Sequence, residues 1–99
     1  MIKFGLSTYL VANEGKSSDL FKAMRIASKL ALKQSGCRIY SVGQSTRDGN
    51  IIHVYEVWDS KEDHKNSLED QEIRDLIDQT KELINFEEVK SEPLSIYLE

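Results

Sequence analysis

The sequence predicts an α+β fold in which helices cover one face of a four-stranded antiparallel sheet, and three observations carry that reading. Residues 2–12 and 51–58 alternate apolar and polar side chains with the period of a strand. Residues 20–31 and 73–84 repeat their apolar positions every three or four residues, the period of a helix. Asp48-Gly49 falls between two β-rich runs, where a glycine able to take positive φ marks a hairpin.

In the first strand Ile2, Phe4, Leu6, Thr8 and Leu10 share one side, and Lys3, Gly5, Ser7, Tyr9 and Val11 the other. The turn Asn13-Glu14-Gly15 ends it, and Ser17 or Ser18 is placed to cap the helix that follows. Leu20, Met24, Ala27, Leu30 and Ala31 line that helix, with Lys22, Arg25, Lys29 and Lys33 toward water. Gly36 sits where a left-handed C-terminal cap would stop it. Residues 37–46 and 51–58 form the hairpin.

Ser60 with Asp63 three residues on is a variant of the capping box and opens a second helical region. A break near Glu69-Asp70 precedes a longer helix carrying Ile73, Leu76, Ile77, Thr80 and Leu83/Ile84. The last run, 88–98, holds the only proline. Pro93 lacks an N–H to give to a ladder, so it marks a bulge or a sheet edge. The order strand, helix, strand, strand, helix, strand is the ferredoxin-like βαββαβ arrangement.

Composition narrows the function classes. With 99 residues the chain is expected to form one domain, 1–99. Its 39% hydrophobic and 30% charged residues fit neither disorder nor a membrane protein. No apolar run is long enough to span a bilayer, and the N-terminal stretch reads as a strand rather than a signal peptide. A net charge of −4 and the lack of a basic stripe argue against nucleic acid and anionic membranes as partners. Cys37 is the only cysteine, so no disulfide staples the fold and a cytoplasmic location is expected. It reads as a small core residue.

Strand parity yields a site and an interface. Ile52, Val54, Glu56 and Trp58 face one way; Ile51, His53, Tyr55 and Val57 face the other. Helices can cover only one of these faces. The second, apolar in part, calls for a partner, and a sheet-to-sheet homodimer with His53 on the dimer face supplies it.

The stretch "VYEVWDSKEDHKNSLED" sets Trp58, the only tryptophan, just before a charged helix containing His64. The plainest role for Trp58 is core, since an indole is above all apolar area to bury. For Glu56 it is an ion pair with a helix Lys or Arg, because a buried unpaired carboxylate is costly. For His64 it is an exposed position on "KEDHK". Against these stands a site. An imidazole in the first turn of a helix has its pKa lowered by the dipole and is neutral at pH 7, as a general base must be. "GQSTRDGN" lacks the spacing of a phosphate loop, and two histidines on different elements make no metal set.

Residues 55–77, "YEVWDSKEDHKNSLEDQEIRDLI", resemble the core signature of the antibiotic biosynthesis monooxygenase domain, of the dimeric α+β barrel superfamily. Glu56, Trp58, Ser60, Lys61, Glu62 and His64 match it residue by residue, and Asn66-Ser67-Leu68 continues it. In a common form of the pattern the histidine lies nine residues after the tryptophan. Here Ser67 holds that place and His64 lies one turn earlier, on roughly the same helix face.

The resemblance implies a homodimer and a cofactor-independent monooxygenase, needing no metal, acting on a small phenolic, quinol or polyketide-like aromatic substrate with dioxygen. His64 would be the base, Trp58 would wall the cavity and stack on the ring, and Glu56 or Tyr40 would orient the substrate or His64. The family's haem-degrading branch pairs an Asn on the first strand with a His on the last helix. Ser7 or Thr8 stands in the first place and residues 71–84 hold no His, so haem is not implied. The alternative is a non-catalytic dimeric α+β barrel that binds a small apolar ligand.

Overall fold

The structure, a computed structural model, describes residues 1–99. Its elements are β1 (Ile2–Val11), α1 (Ser17–Leu32), β2 (Cys37–Gln44), β3 (Ile51–Trp58), α2 (Lys61–Ser67), α3 (Gln71–Thr80) and β4 (Lys90–Tyr97), with a short 3-10 turn at Phe86–Glu88. The strands form one antiparallel sheet in the order β2-β3-β1-β4. This is the predicted ferredoxin-like α+β arrangement, with the second helical region divided in two. No helix is long and apolar enough to cross a membrane.

The apolar alternation on β1 and β3 sets the sheet's two faces. Toward the helices, Leu10, Ala12, Ile52 and Val54 bury against Leu20 of α1 and Ile84, with Met24 and Tyr40 packed around them. On the opposite face Val57 is also fully buried. Gly5 lies beside it in register, and a Cβ there would overlap Ile96 of β4. Absence of a side chain at residue 5 therefore lets Ile96 lie across this end of the sheet. Pro93 sits on β4, an edge strand, where its missing N–H breaks no inner ladder.

The helix boundaries follow their caps. Ser60 Oγ accepts from the Asp63 N–H at 3.1 Å, and Asp70 accepts from the Ile73 N–H at 3.2 Å. The two caps divide the charged region into α2 and α3. At α1, Lys16 rather than a serine occupies the cap position, without a side-chain bond. The Asn13–Lys16 turn closes one residue early (Lys16 N–H to Asn13 O, 2.9 Å), so Ser17 is already helical.

Three further expectations are corrected. Gly36 does take a left-handed φ of 86°, but α1 stops at Leu32. The glycine serves the turn into β2 instead, where a Cβ would overlap the Asp63 carboxylate. Gly49 has no positive φ. Side chains shape that turn: Ser45 Oγ accepts from the Arg47 and Asp48 N–H groups, and Asp48 Oδ1 from the Asn50 N–H. Finally, α3 ends at Thr80, and Ile84 enters the core through a bridge to Ala12 rather than on a helix face.

Candidate active site

Between the sheet and the three helices lies a cavity of about 290 Å³, with 13 of its 19 lining residues hydrophobic. Its polar groups come from few places. β3 contributes Glu56 and Trp58, β2 contributes Tyr40, β1 contributes Thr8, α2 contributes His64 and Ser67, and the end of α3 contributes Thr80 with Lys81 beside it. Because side chains alternate along a strand, Val54, Glu56 and Trp58 necessarily point into it together. The rim is apolar and open: Leu68, Ile77 and Phe86 are 43%, 43% and 60% exposed.

Trp58 is 1% exposed and Glu56 8%. The Trp58 Nε1–H donates to Glu56 Oε1 at 3.1 Å. That bond answers the desolvation of the carboxylate in place of the expected Lys or Arg, and no basic residue other than His64 pairs with Glu56. The other carboxylate oxygen accepts no hydrogen bond from the chain, yet no fully occluded polar side-chain atom lacks a partner. Ligand or solvent can therefore reach it. Burial raises the Glu56 carboxyl above its ordinary value, and the indole bond opposes the shift.

His64 turns inward. Its Nε2 is 3.8 Å from Glu56 Oε1, and its side chain is only 20% exposed, so it does not lie on the exposed side of "KEDHK". Its ring packs edge-on against Trp58 at 5.6 Å between centroids and tilted against Phe4 at 5.7 Å. Its pKa is lowered as expected, but burial is the cause. The dipole of so short a helix adds little: α2 has seven residues and His64 is the fourth.

Tyr40 stands directly opposite Glu56 in the β2–β3 ladder. Its hydroxyl makes no hydrogen bond within the chain, and burial, then the nearby Glu56, push its pKa up. Ser67 does not face the cavity as a free hydroxyl; it donates to the His64 carbonyl at 2.6 Å and ties down the turn carrying that residue. Of Ser7 and Thr8, only Thr8 lines the cavity. His53 is exposed on the far face, where its ring meets Tyr9 edge-on at 5.1 Å. Cys37 is half-buried rather than core, at a strand irregularity, and burial followed by Glu56 raises its thiol to about 11.

Sequence reasoning missed two contributors. Phe4 supports His64 because it lies opposite Trp58 in register, a pairing visible only once β1 and β3 are aligned. Phe86 reaches the rim from a 3-10 turn, which carries no periodic signal. No group of three or more His, Cys, Asp or Glu is placed to hold a metal ion.

The model of the antibiotic biosynthesis monooxygenase family matches residues 5–79. The chain belongs to that family. The match runs from β1 through α3 and includes the cavity residues named above except Thr80, Lys81, Ile84 and Phe86. Solved structures agree on the fold. A candidate antibiotic biosynthesis monooxygenase from Chloroflexus aurantiacus is 28% identical with a TM-score of 0.84, covering 98% of this chain and 95% of its own. A Pseudomonas aeruginosa protein is 16% identical with a TM-score of 0.87, covering 99% and 97%. SnoaB, a cofactor-independent oxygenase from Streptomyces nogalater, is 8% identical with a TM-score of 0.83, covering 98% and 95%. No protein of curated function matches the chain by sequence.

Proposed function

We propose that this family member is a cofactor-independent monooxygenase of a small phenolic, quinol or polyketide-like aromatic substrate. The observation that carries the reading is the meeting of His64, Glu56 and Trp58 at one wall of an apolar cavity. Dioxygen reacts slowly with closed-shell organic molecules, so without a cofactor the substrate must supply the electrons itself. A phenol, quinol or anthrone does so once deprotonated.

His64 takes the proton. Its lowered pKa keeps the imidazole neutral near pH 7. As it becomes imidazolium, Glu56 Oε1 at 3.8 Å compensates the new charge. The aromatic anion, shielded by Trp58 and apolar side chains, passes one electron to dioxygen, and the two radicals combine as a peroxide anion that takes the proton back from His64 to become a hydroperoxide. Loss of water leaves a carbonyl: for an anthrone, a CH₂ group and O₂ become C=O and H₂O. Tyr40, with its free hydroxyl, orients the substrate.

We further propose a homodimer through the sheet face that the helices leave bare. Tyr55, Leu94 and Ile96 stand on that face and remain partly exposed. Sedimentation at micromolar concentration tests it, and a dimer burying more than roughly 1,200 Å² is expected. A monomer refutes it.

The test of activity is oxygen uptake with quinol and anthrone substrates in the wild type and in His64→Ala. Uptake should fall about 10²–10⁴-fold in the variant. Uptake in neither protein, with the same compounds still binding, would favour the non-catalytic ligand-binding reading instead.

A further inference from the structure

We propose that the cavity also catalyses an oxygen-independent reaction, the enolisation of a cyclic ketone, with Glu56 as the carbon base and Tyr40 as the hydrogen-bond donor to the carbonyl oxygen. This goes beyond the oxygenase reading: it shares the Tyr40 hydroxyl with it but takes as base the Glu56 oxygen that reading leaves unused.

Breaking a C–H bond beside a carbonyl has two geometric demands. The base must approach perpendicular to the carbonyl plane, so that the released electron pair overlaps the C=O π system. The donor must lie near that plane, where the oxygen's lone pairs and growing negative charge are. Base and donor must therefore be separate groups in fixed positions. Glu56 and Tyr40 are direct cross-strand neighbours, which sets their Cβ atoms about 4.5–5.5 Å apart, and both line the cavity.

Each has the free atom it needs. The Trp58 Nε1–H holds Glu56 Oε1 at 3.1 Å and so fixes the carboxylate's orientation, while the second oxygen carries no bond. The Tyr40 hydroxyl is likewise without a partner in the chain. The oxygenase reading leaves that second Glu56 oxygen without a task. Burial adds a chemical advantage, since a carboxylate whose pKa is raised is a stronger base than one in water.

In the step, the α C–H bond breaks and the proton goes to the free Glu56 oxygen. The C–H electron pair forms the C=C bond, and the C=O π pair moves onto oxygen, held by the Tyr40 O–H. Return of a proton to the same carbon gives exchange, and to a conjugated carbon gives isomerisation. No oxidant enters or leaves.

The experiment uses 2-tetralone as probe, in D₂O buffer without oxygen, with deuterium uptake at its C1 position followed by NMR. The wild type should exchange at least about 100-fold faster than buffer alone. Glu56→Gln should fall to the buffer rate, and Tyr40→Phe should lose about 10- to 100-fold. Circular dichroism melts confirm that each variant is folded. A wild type no faster than buffer overturns the proposal, as does full exchange in folded Glu56→Gln. Oxygen uptake on quinols, measured on the same preparations, keeps the two readings separate: exchange without uptake supports this one alone, and uptake without exchange overturns it alone.

Discussion

Replacing Trp58 with Phe tests whether the bond between the indole and Glu56 holds this wall of the cavity together. The change removes the Nε1–H that meets Glu56 Oε1 at 3.1 Å and leaves an oxygen of a carboxylate that is 8% exposed without its donor. A hydrogen bond to a charged group contributes about 1.5–3 kcal/mol. The smaller ring leaves a void on the order of 40 Å³, which at about 24 cal/mol per Å³ adds roughly 1 kcal/mol. The expected cost is about 2.5–4 kcal/mol, a large share of the 5–15 kcal/mol or so by which a domain is stable.

The same change in a Glu56→Gln background should cost about 1 kcal/mol less, because the bond removed there is between neutral groups. Urea unfolding at pH 7 measures all four proteins. The probe must be far-UV circular dichroism, since the substitution removes the chain's only tryptophan. Lowering the pH adds an internal check: as Glu56 takes up a proton, the cost of Trp58→Phe in the wild type should fall toward its value beside Gln. Equal costs in both backgrounds, within about 0.5 kcal/mol, would refute the coupling.

Three other outcomes follow from the same geometry. Burial lowers the His64 pKa, so the acid limb of kcat/KM for any oxygenation should lie below pH 6.5; a limb above it contradicts His64 as the buried base. Glu56 titrates above its ordinary 4.5 in the folded chain, so its contribution to stability is full below 4.5 and is lost as pH rises through the folded value. Glu56→Gln should accordingly melt higher than wild type at pH 7, with the difference closing toward pH 4. Gly36→Ala meets both a φ of 86° and the Asp63 carboxylate, and should cost about 2 kcal/mol, or roughly 8–16 °C in Tm. Part of that loss should return in an Asp63→Ala background.

Most of this site was legible in the sequence because strand parity is unforgiving. Once residues 51–58 are read as a strand, Glu56 and Trp58 must share a face, and a one-residue slip would reverse both. The Ser60 cap then fixes where α2 begins, and so which residue of "KEDHK" turns inward. What could not be read depends on pairing between distant segments. The acceptance of Trp58 by Glu56 within one strand, rather than a Lys or Arg from a helix, depends on side-chain reach that no periodicity encodes. Phe4 became part of the site only through its register with Trp58, and Ile84 joined the core through Ala12 after its helix had ended. The hairpin misled in a different way. Asp48-Gly49 is a valid turn signal, but the Ser45 and Asp48 side chains close a longer loop that never needs the glycine's freedom.

One cause shifts the two ionisable groups at the cavity wall in opposite directions. Desolvation disfavours whichever form is charged, so it raises Glu56 and lowers His64, and the two values approach each other. In water a carboxylic acid and an imidazolium differ by about two pH units, and proton transfer from the acid to the imidazole is favourable. In this cavity that difference narrows, and a proton taken from a substrate has two acceptors 3.8 Å apart. The indole bond acts on one of them: it favours the Glu56 carboxylate, and so the imidazolium–carboxylate state over the neutral pair. Removing the indole N–H should therefore do more than destabilise the fold. It should leave the proton less firmly assigned to His64, and the acid limb of turnover should shift in Trp58→Phe even when the protein is fully folded.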